Sequence, residues 1–284
     1  MIAAAIALAL TAAALHGTWN VLVKVSGDPL VTFERATFAA ALLFSAAAVA
    51  AWFWLGRPAL SVPAVGLCVL SATLETAYMW LLSTAYRRGE LSAVYPIARG
   101  SAPVIAVAIG LTVLGERLAP LQLAGVALLL LGILAVSFSQ AAGRATGPAL
   151  LTGVAIAVYT SIDRVGVRLT APWLYGWLLF CLMAIELSIS IRVASRFRWA
   201  APVDPAQVLA WRQATLIGAF MGAGYGIVLL ALSIAPLAVV APVRETAIVG
   251  VSAWGVWRLR ERNGAAMKLF GALAAAAGVA LLAT

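Results

Sequence analysis

Charge is scarce in this sequence. Only 10% of its 284 residues are Asp, Glu, Lys or Arg, whereas 64% are hydrophobic. A soluble domain carries roughly a quarter charged residues, which cover much of its surface. So little polar surface excludes a soluble globular domain of this length. Lipid is the solvent that tolerates outward-facing apolar side chains, provided that every backbone polar group is bonded internally. The composition therefore predicts an integral membrane protein.

Residues that hold metals or act as nucleophile–base pairs are few as well. The chain has one histidine and two cysteines, Cys68 and Cys181, and both cysteines lie within apolar runs. A cysteine in such a setting usually acts as a small hydrophobe. There is no HExxH sequence, no Asp or Cys cluster with ligand spacing, and no Walker motif. We therefore expect no disulfide, no metal site, no cofactor and no catalytic residue, which argues against an intramembrane enzyme.

The net charge of +9 does not indicate nucleic acid as a partner. The basic residues form short clusters between apolar runs, as in Arg87-Arg88 and Arg196-Phe197-Arg198. Such clusters are typical of the loops that orient membrane proteins. Most of the 19 Lys and Arg residues follow odd-numbered apolar runs, so the positive-inside rule places both termini outside. The expected partners are membrane lipids and a small molecule, with the protein as a monomer.

Apolar runs long enough to cross a bilayer recur along the whole chain. A helix needs about 20 apolar residues to span the hydrocarbon core. The runs are separated by short connections with Gly, Pro and charged residues. The candidate spans are 2–25, 31–54, 62–86, 91–114, 119–139, 147–168, 173–194, 209–233, 237–257 and 265–283. The predicted fold class is thus an all-α membrane protein with ten transmembrane helices.

The two halves of the chain resemble each other. Residues 85–96 align with residues 231–242 at a shift of 146, and the same shift places Gly125 on Gly271. Two repeats of five helices follow, over residues 1–142 and 143–284. Because five is odd, the second repeat enters the membrane from the opposite side. Inverted repeats are the construction of many secondary transporters. The alternative is an ordinary duplicated membrane scaffold or receptor that transports nothing.

Equivalent helices of the two repeats carry polar faces. Helix 1 has His16, Trp19 and Asn20 at spacings of three and four, which places them on one side. Helix 6 has Tyr159 and Asp163 at the same spacing. Polar residues at bilayer depth usually face the interior or a cavity. We expect substrate contacts here, with His16 or Asp163 as a candidate proton carrier. The alternative is hydrogen bonding that holds helices together.

Helices 3 and 8 differ at equivalent positions. Glu75, Tyr78 and Met79 share one face of helix 3 and predict a substrate-facing surface. The corresponding part of helix 8 is rich in glycine. It supplies Tyr225 as a candidate contact and Gly222 and Gly224 as candidate hinges, although glycines also allow close helix packing. We therefore expect an asymmetric pocket.

Helices 4 and 9 are interrupted at matching positions by Pro96 and Pro242. Proline removes a backbone hydrogen bond and kinks a helix, so both are candidate hinges. Paired interrupted helices are a sequence pointer to a transporter's binding site. Tyr95, Arg99 and Arg244 lie beside them, and a guanidinium can bind a carboxylate with two prongs. The alternatives are snorkelling to headgroups, or local pairing of Arg244 with its neighbouring glutamate.

Several sequence features resemble one transporter superfamily. These are His-Gly-Thr-Trp-Asn on helix 1, the run 95–103 on helix 4, and Gly115-Glu116-Arg117 closing that helix. They look like the drug/metabolite transporter superfamily, in particular its EamA-type ten-helix branch. In that family the Gly-Glu pair recurs at the end of helix 9. Here the second pair reads Arg260-Glu261, so its glycine is missing. The resemblance implies a secondary transporter of the bacterial inner membrane that works by alternating access. It is most like exporters of aromatic and neutral amino acids, with drugs or other metabolites as the alternative substrates.

Overall fold

The computed structural model describes residues 1–89, 91–137, 143–197, 208–248 and 265–283. Within these ranges the chain forms ten α-helices and one short 3-10 turn, and no strand. The predicted all-α membrane fold is confirmed. Because helices satisfy their backbone hydrogen bonds internally, this architecture suits a chain with so little charge.

The first five helices occupy the first half of the chain. They are α1 (Ile2–Val25), α2 (Pro29–Trp54), α3 (Val62–Arg88), α4 (Leu91–Thr112) and α5 (Pro120–Ser137). Several begin where the sequence supplies a start signal. The Asp28 side chain accepts hydrogen bonds from the backbone N–H groups of Leu30 and Val31, and Pro29 occupies the first turn of α2.

Five further helices follow in the second half. They are α6 (Thr146–Gly166), α7 (Pro172–Arg196), α8 (Trp211–Ile234), α9 (Leu237–Arg244) and α10 (Ala265–Ala283). Eight helices of the described ranges, α1 to α8, are long and apolar enough to cross a membrane. The apolar part of α10, Leu269–Ala283, is shorter.

The ninth predicted span, 237–257, is interrupted within the described residues. α9 ends at Arg244 after 8 residues, a turn follows at residues 245–246, and helical geometry resumes at residues 247–248. Residues 249–264 lie outside the described ranges. Beyond Pro242 the backbone changes to i→i+3 hydrogen bonds, from Glu245 to Pro242 and from Thr246 to Val243. Proline disturbs the i→i−4 ladder, and a tighter 3-10 geometry is a common way for a helix to end.

The helix contacts repeat under a shift of five helices. α1 packs along α8, and its counterpart α6 packs along α3. The remaining large interfaces include α2 with α7, α4 with α9 and α5 with α10, each of which joins a helix to its own counterpart. This is the pattern expected where two similar units face each other across a pseudo-twofold axis.

The interface between α5 and α10 shows the same symmetric pattern at single residues. A Cβ atom built on Gly132 would lie 2.5 Å from the Gly271 carbonyl oxygen, and one on Gly125 would lie 3.0 Å from the Gly278 carbonyl oxygen. The shift of 146 relates Gly125 to Gly271 and Gly132 to Gly278. Gly132 therefore packs against the counterpart of Gly125, and Gly125 packs against the counterpart of Gly132. Small residues at such positions let two backbones approach closely.

Candidate functional site

A small cavity lies at the centre of the bundle, between α1, α3, α4, α6, α7 and α8. The predicted candidates that line it are His16, Trp19, Glu75, Tyr78, Met79, Arg99, Tyr159 and Tyr225. Phe180, Met183 and Met221 complete the wall. Its volume is about 20 Å³. That is room for about one water molecule.

A cationic cluster lies at the α4–α9 side of this cavity. Glu245 Oε1 accepts hydrogen bonds from Arg99 Nη1 at 3.2 Å and from Arg244 Nε at 3.0 Å. All three side chains are buried. Local pairing of Arg244 with its neighbour is therefore observed, but Arg99 shares the same carboxylate. Two guanidinium groups around one carboxylate leave one positive charge in excess.

Aromatic rings enclose Arg99. Its guanidinium carbon lies 5.9 Å from the centre of the Trp19 ring and 5.8 Å from that of Tyr95. Its Nη2 donates to the Tyr78 hydroxyl oxygen at 3.4 Å. Ring faces attract cations within about 6 Å. These contacts hold Arg99 inside the bundle, so it does not snorkel to the headgroups.

Two carboxylates form a separate cluster on α3 and α6. Asp163 accepts hydrogen bonds from the hydroxyls of Tyr175, at 2.8 Å, and Tyr225. Glu75 is 5% exposed, and its Oε1 atom has no hydrogen-bond partner. Among the described residues, no Lys, Arg or His nitrogen lies within 4.0 Å of either carboxylate. The two acidic groups are therefore buried without an ion pair.

A chain of aromatic rings connects the two clusters. Tyr78 and Tyr159 pack edge to face with 5.7 Å between ring centres, and Tyr159 and Tyr225 do so at 6.1 Å. The His16 ring lies 6.3 Å from Tyr225 and 5.7 Å from Trp19. Edge-to-face contacts at these distances are favourable. The wall of the cavity is therefore aromatic between a cationic end and an acidic end.

Four of the predicted contact residues do not line the cavity itself. Asp163 and Tyr95 contact the lining residues Tyr225 and Arg99. Arg244 is joined to Arg99 through the Glu245 carboxylate. Asn20 is further removed, since its amide donates to the His16 carbonyl oxygen at 2.8 Å and accepts from the Tyr86 hydroxyl at 3.0 Å. The environment of Asn20 matches the alternative expectation, a polar contact that holds helices together.

The predicted hinge residues lie at helix contacts. A Cβ atom on Gly222 would meet the Phe44 ring at 2.3 Å, and one on Gly224 would lie 3.2 Å from His16 Nδ1. α4 continues through Pro96 without a break, and Pro242 lies within α9. These positions permit close packing. Their role as hinges stays a prediction.

One buried ion pair outside the cavity was not predicted as a site. The Glu116 carboxylate accepts from the backbone N–H groups of Leu237, at 2.7 Å, and Ala238, at 2.9 Å, and from Arg164 Nε at 3.1 Å. It therefore caps the start of α9 and ties it to α6. The Gly115-Glu116 sequence was the only signal of this contact. The partners of Glu116 in α9 lie more than 100 residues further along the chain.

Apolar lining residues were also missed. Phe180, Met183 and Met221 belong to α7 and α8, where an apolar side chain facing the cavity looks the same in sequence as one facing lipid. Tyr175 was missed too, although its hydroxyl bonds Asp163. Among the described residues there is no group of three or more His, Cys, Asp or Glu side chains that could hold a metal ion.

Comparison with known proteins finds a similar fold over nearly the whole chain and a family match within its first half. A solved crystal structure of 15% sequence identity superposes with a TM-score of 0.71, over 98% of this chain and 97% of the other. At that identity the likeness shows the fold alone. No curated protein matches the sequence significantly. Residues 3–138, which contain α2 to α5 and all of α1 except its first residue, match the family described as the EamA-like transporter family.

Proposed function

We propose that this chain is a secondary transporter of small zwitterionic metabolites, with aromatic and other neutral amino acids as its substrates. The match of residues 3–138 to EamA-like transporters supports the transporter class. The proposed mechanism is alternating access between two repeats, over residues 1–142 and 143–284. The proposed direction is export across a bacterial inner membrane, with the protein acting as a monomer.

The observation that carries the substrate proposal is a set of unused polar atoms around the central cavity. Glu75 Oε1 is a buried acceptor without a donor, whereas Trp19 Nε1 and Arg244 Nη1 are buried donors without an acceptor. A buried polar group without a partner costs about 1–3 kcal/mol, so a ligand that pairs with it gains that energy. The α-ammonium of an amino acid fits Glu75, and its α-carboxylate fits Arg244 and Trp19.

The aromatic wall supports a neutral, preferably aromatic, side chain. Tyr78, Tyr159 and Tyr225 present rings between the two charged clusters. Rings prefer offset or edge-to-face neighbours, and each such pair contributes about 0.5–1.5 kcal/mol beyond the buried area. Met79, Met183 and Met221 also line the cavity and are adaptable in shape. A closed volume of about 20 Å³ requires that these side chains move apart when substrate binds.

The experiment compares three ligands with the same aromatic ring that carry both charged groups, only the ammonium or only the carboxylate. Purified protein in liposomes is tested for counterflow of labelled L-phenylalanine, with unlabelled phenylalanine, phenethylamine or 3-phenylpropionate as competitor. We expect competition by phenylalanine, and at least tenfold weaker competition by the two analogues, since each leaves one charged cluster unpaired. Equal competition by phenethylamine favours the alternative, export of cationic drugs. Absence of flux across a broad amino-acid and metabolite panel, with folded protein, refutes the transporter proposal.

Matched variants connect the flux to the cavity. Arg244→Lys keeps the positive charge but loses the guanidinium fork, so we expect the affinity for phenylalanine to fall about 10–100-fold. Leu131→Ala is the control, because Leu131 is 58% exposed on α5, away from the cavity. An equal loss of affinity in both variants would show that the Arg244 effect is not local.

A further inference from the structure

An apolar groove lies on the outside of the bundle, between α2, α7 and α8. Its volume is about 530 Å³, compared with about 20 Å³ for the central cavity. The three helices that form it are candidate membrane spans, so the medium around the groove is the bilayer. Ala47 and Leu230 belong to its lining and are exposed, so the groove opens on the surface that faces lipid.

The lining of this groove suits an apolar ligand. Among the described residues that line it there is no charged side chain, and more than half are Ala, Gly or Pro. The indole N–H of Trp177 already donates to the Ser45 hydroxyl oxygen at 3.0 Å. Apolar cavities stay dry and bind apolar molecules. The lining therefore disfavours both water and a charged metabolite.

The length of the groove corresponds to one leaflet of a bilayer. Its α7 wall runs from Pro172, where that helix begins, to Phe180, which is a depth of about 12 Å at about 1.5 Å per residue. The α8 wall covers the same length, from Leu230 back to Gly222. Half of the hydrocarbon core is about 15 Å thick. An acyl chain that enters from this leaflet therefore ends near Phe180.

Phe180 separates the groove from the central cavity. Of the described residues it alone lines both, and it is 6% exposed. A central volume of about 20 Å³ admits a metabolite only if side chains of its wall move. The groove provides free space on the outer side of Phe180. An acyl chain in the groove occupies the space into which this ring can move.

We propose that the groove binds one acyl chain of a membrane lipid, and that this chain opposes substrate binding because it keeps Phe180 against the central cavity. The acyl-chain site does not depend on the proposed function, whereas the opposition to substrate rests on it. Coupling between two ligands is reciprocal, so bound substrate must weaken the binding of the chain as well.

Covalent labelling from an acyl chain tests the site. Purified full-length protein is reconstituted with a phosphatidylcholine that carries a diazirine at the end of one acyl chain. After illumination, the labelled residues are quantified by mass spectrometry. The groove-lining residues of α7 and α8 are expected to be labelled about tenfold more than the lipid-facing surface of α5 around Leu131, which is 58% exposed.

Two glycine variants form a matched pair for this experiment. Gly226 lines the groove, and an added Cβ would have no atom within 4 Å, so Gly226→Phe fills the groove. Its groove labelling is expected to fall to the level of α5. Gly66 on α3 also has no atom within 4 Å of an added Cβ but does not line the groove, so Gly66→Phe is expected to be labelled like wild type.

L-phenylalanine tests the opposition in the same assay. Saturating phenylalanine is expected to lower the groove labelling of wild type at least about fivefold and to leave the labelling of α5 unchanged. Phe180→Ala removes the ring between the two sites, so its groove labelling is expected to persist without a response to phenylalanine. Calorimetry on the same preparations reports whether phenylalanine binds.

The outcomes separate this inference from the proposed function. Groove labelling no greater than that of α5 in wild type overturns the acyl-chain site, whether or not Gly226→Phe folds. Labelling below that of α5, in protein that is dimeric, overturns it in favour of a second copy of the chain. Labelling that ignores phenylalanine, although calorimetry shows binding, overturns the opposition. If folded wild type binds no phenylalanine, the proposed function fails and the opposition with it, while the wild-type labelling still decides the acyl-chain site.

Discussion

Replacement of Glu116 by alanine is expected to destabilise the protein strongly, although the residue lies outside the central cavity. Its carboxylate accepts from the N–H groups of Leu237 and Ala238 and from Arg164 Nε. Its side chain is 7% exposed. Loss of a helix cap costs roughly 0.5–2 kcal/mol, and removal of one partner of a buried ion pair costs about 3–5 kcal/mol. These contributions overlap, so we expect about 3–5 kcal/mol for Glu116→Ala.

Two further variants give the expected order of effects. Glu116→Gln keeps one oxygen acceptor of similar shape, so its loss of stability should be roughly half that of alanine, or about 2 kcal/mol. Arg117→Ala is the matched control, because the neighbouring Arg117 side chain is exposed, and exposed substitutions usually change stability by less than about 0.5 kcal/mol. The free energy of unfolding is measured by denaturant titration of detergent-solubilised protein, with tryptophan fluorescence as the signal.

A double-mutant cycle isolates the ion pair. Arg164→Met leaves the carboxylate in place but removes its cation, which also donates to the Leu232 carbonyl oxygen. If the pair acts as described, the double variant should be more stable than the sum of the two single losses predicts, by at least about 1 kcal/mol. Equal stability of Glu116→Ala and Arg117→Ala would refute the account of α9 capping, whatever the cycle shows.

Two predictions concern packing and a buried hydrogen bond. Gly132→Ala should lower the melting temperature, because its Cβ would lie 2.5 Å from the Gly271 carbonyl oxygen. The expected loss of stability is about 1–3 kcal/mol. Gly66→Ala is the control, since Gly66 is on the exposed side of α3 with no atom within 4 Å of the new Cβ, and it should be neutral or slightly stabilising. Equal melting temperatures would contradict the close α5–α10 contact. Tyr86→Phe removes the donor to Asn20 and should cost about 1 kcal/mol while leaving the affinity for phenylalanine unchanged. A large change in that affinity would instead place Asn20 and Tyr86 in the binding site.

The helices were predictable because a bilayer imposes a length on every apolar run. Runs such as 62–86 and 173–194 end within a few residues of α3 and α7 for that reason. The convergence of His16, Glu75 and Tyr159 on one cavity follows from the same logic. Polar side chains spaced by three or four residues share a helix face, and at bilayer depth that face turns inward.

What could not be predicted depends on residues that are distant in sequence. Glu116 meets Leu237, and Arg99 meets Glu245, across more than 100 residues in each case. Spacing within one helix carries no information about such contacts. Asn20 illustrates a second limit, because a polar residue that binds substrate and one that bonds a neighbouring helix look the same in sequence. The interruption after Arg244 is a third, since Pro242 signals a disturbed helix but not where the helix ends.

The ion pair between Arg99 and Glu245 bears on how the two halves differ. The two residues are separated by 146 positions, which is the shift that relates the proposed repeats. A residue that touches its own counterpart lies at the pseudo-twofold axis. A symmetric assembly would place like charges together there, Arg against Arg or Glu against Glu, which is unfavourable at such short distance. Under the proposed duplication, the observed attraction requires that the two halves differ at this position.

Differences between equivalent residues of the two halves also give the cavity one acidic end and one cationic end. Glu75 on α3 aligns with Met221 on α8, and Asp163 on α6 aligns with Asn20 on α1, so neither carboxylate has a charged counterpart. The acidic cluster therefore belongs to α3 and α6, and the cationic cluster to α4 and α9. A zwitterion bound between them has one favourable orientation, because reversal brings its ammonium to the arginines and its carboxylate to Glu75. We infer that the proposed zwitterionic substrate binds this cavity in one orientation, whereas a symmetric cavity would bind it in two.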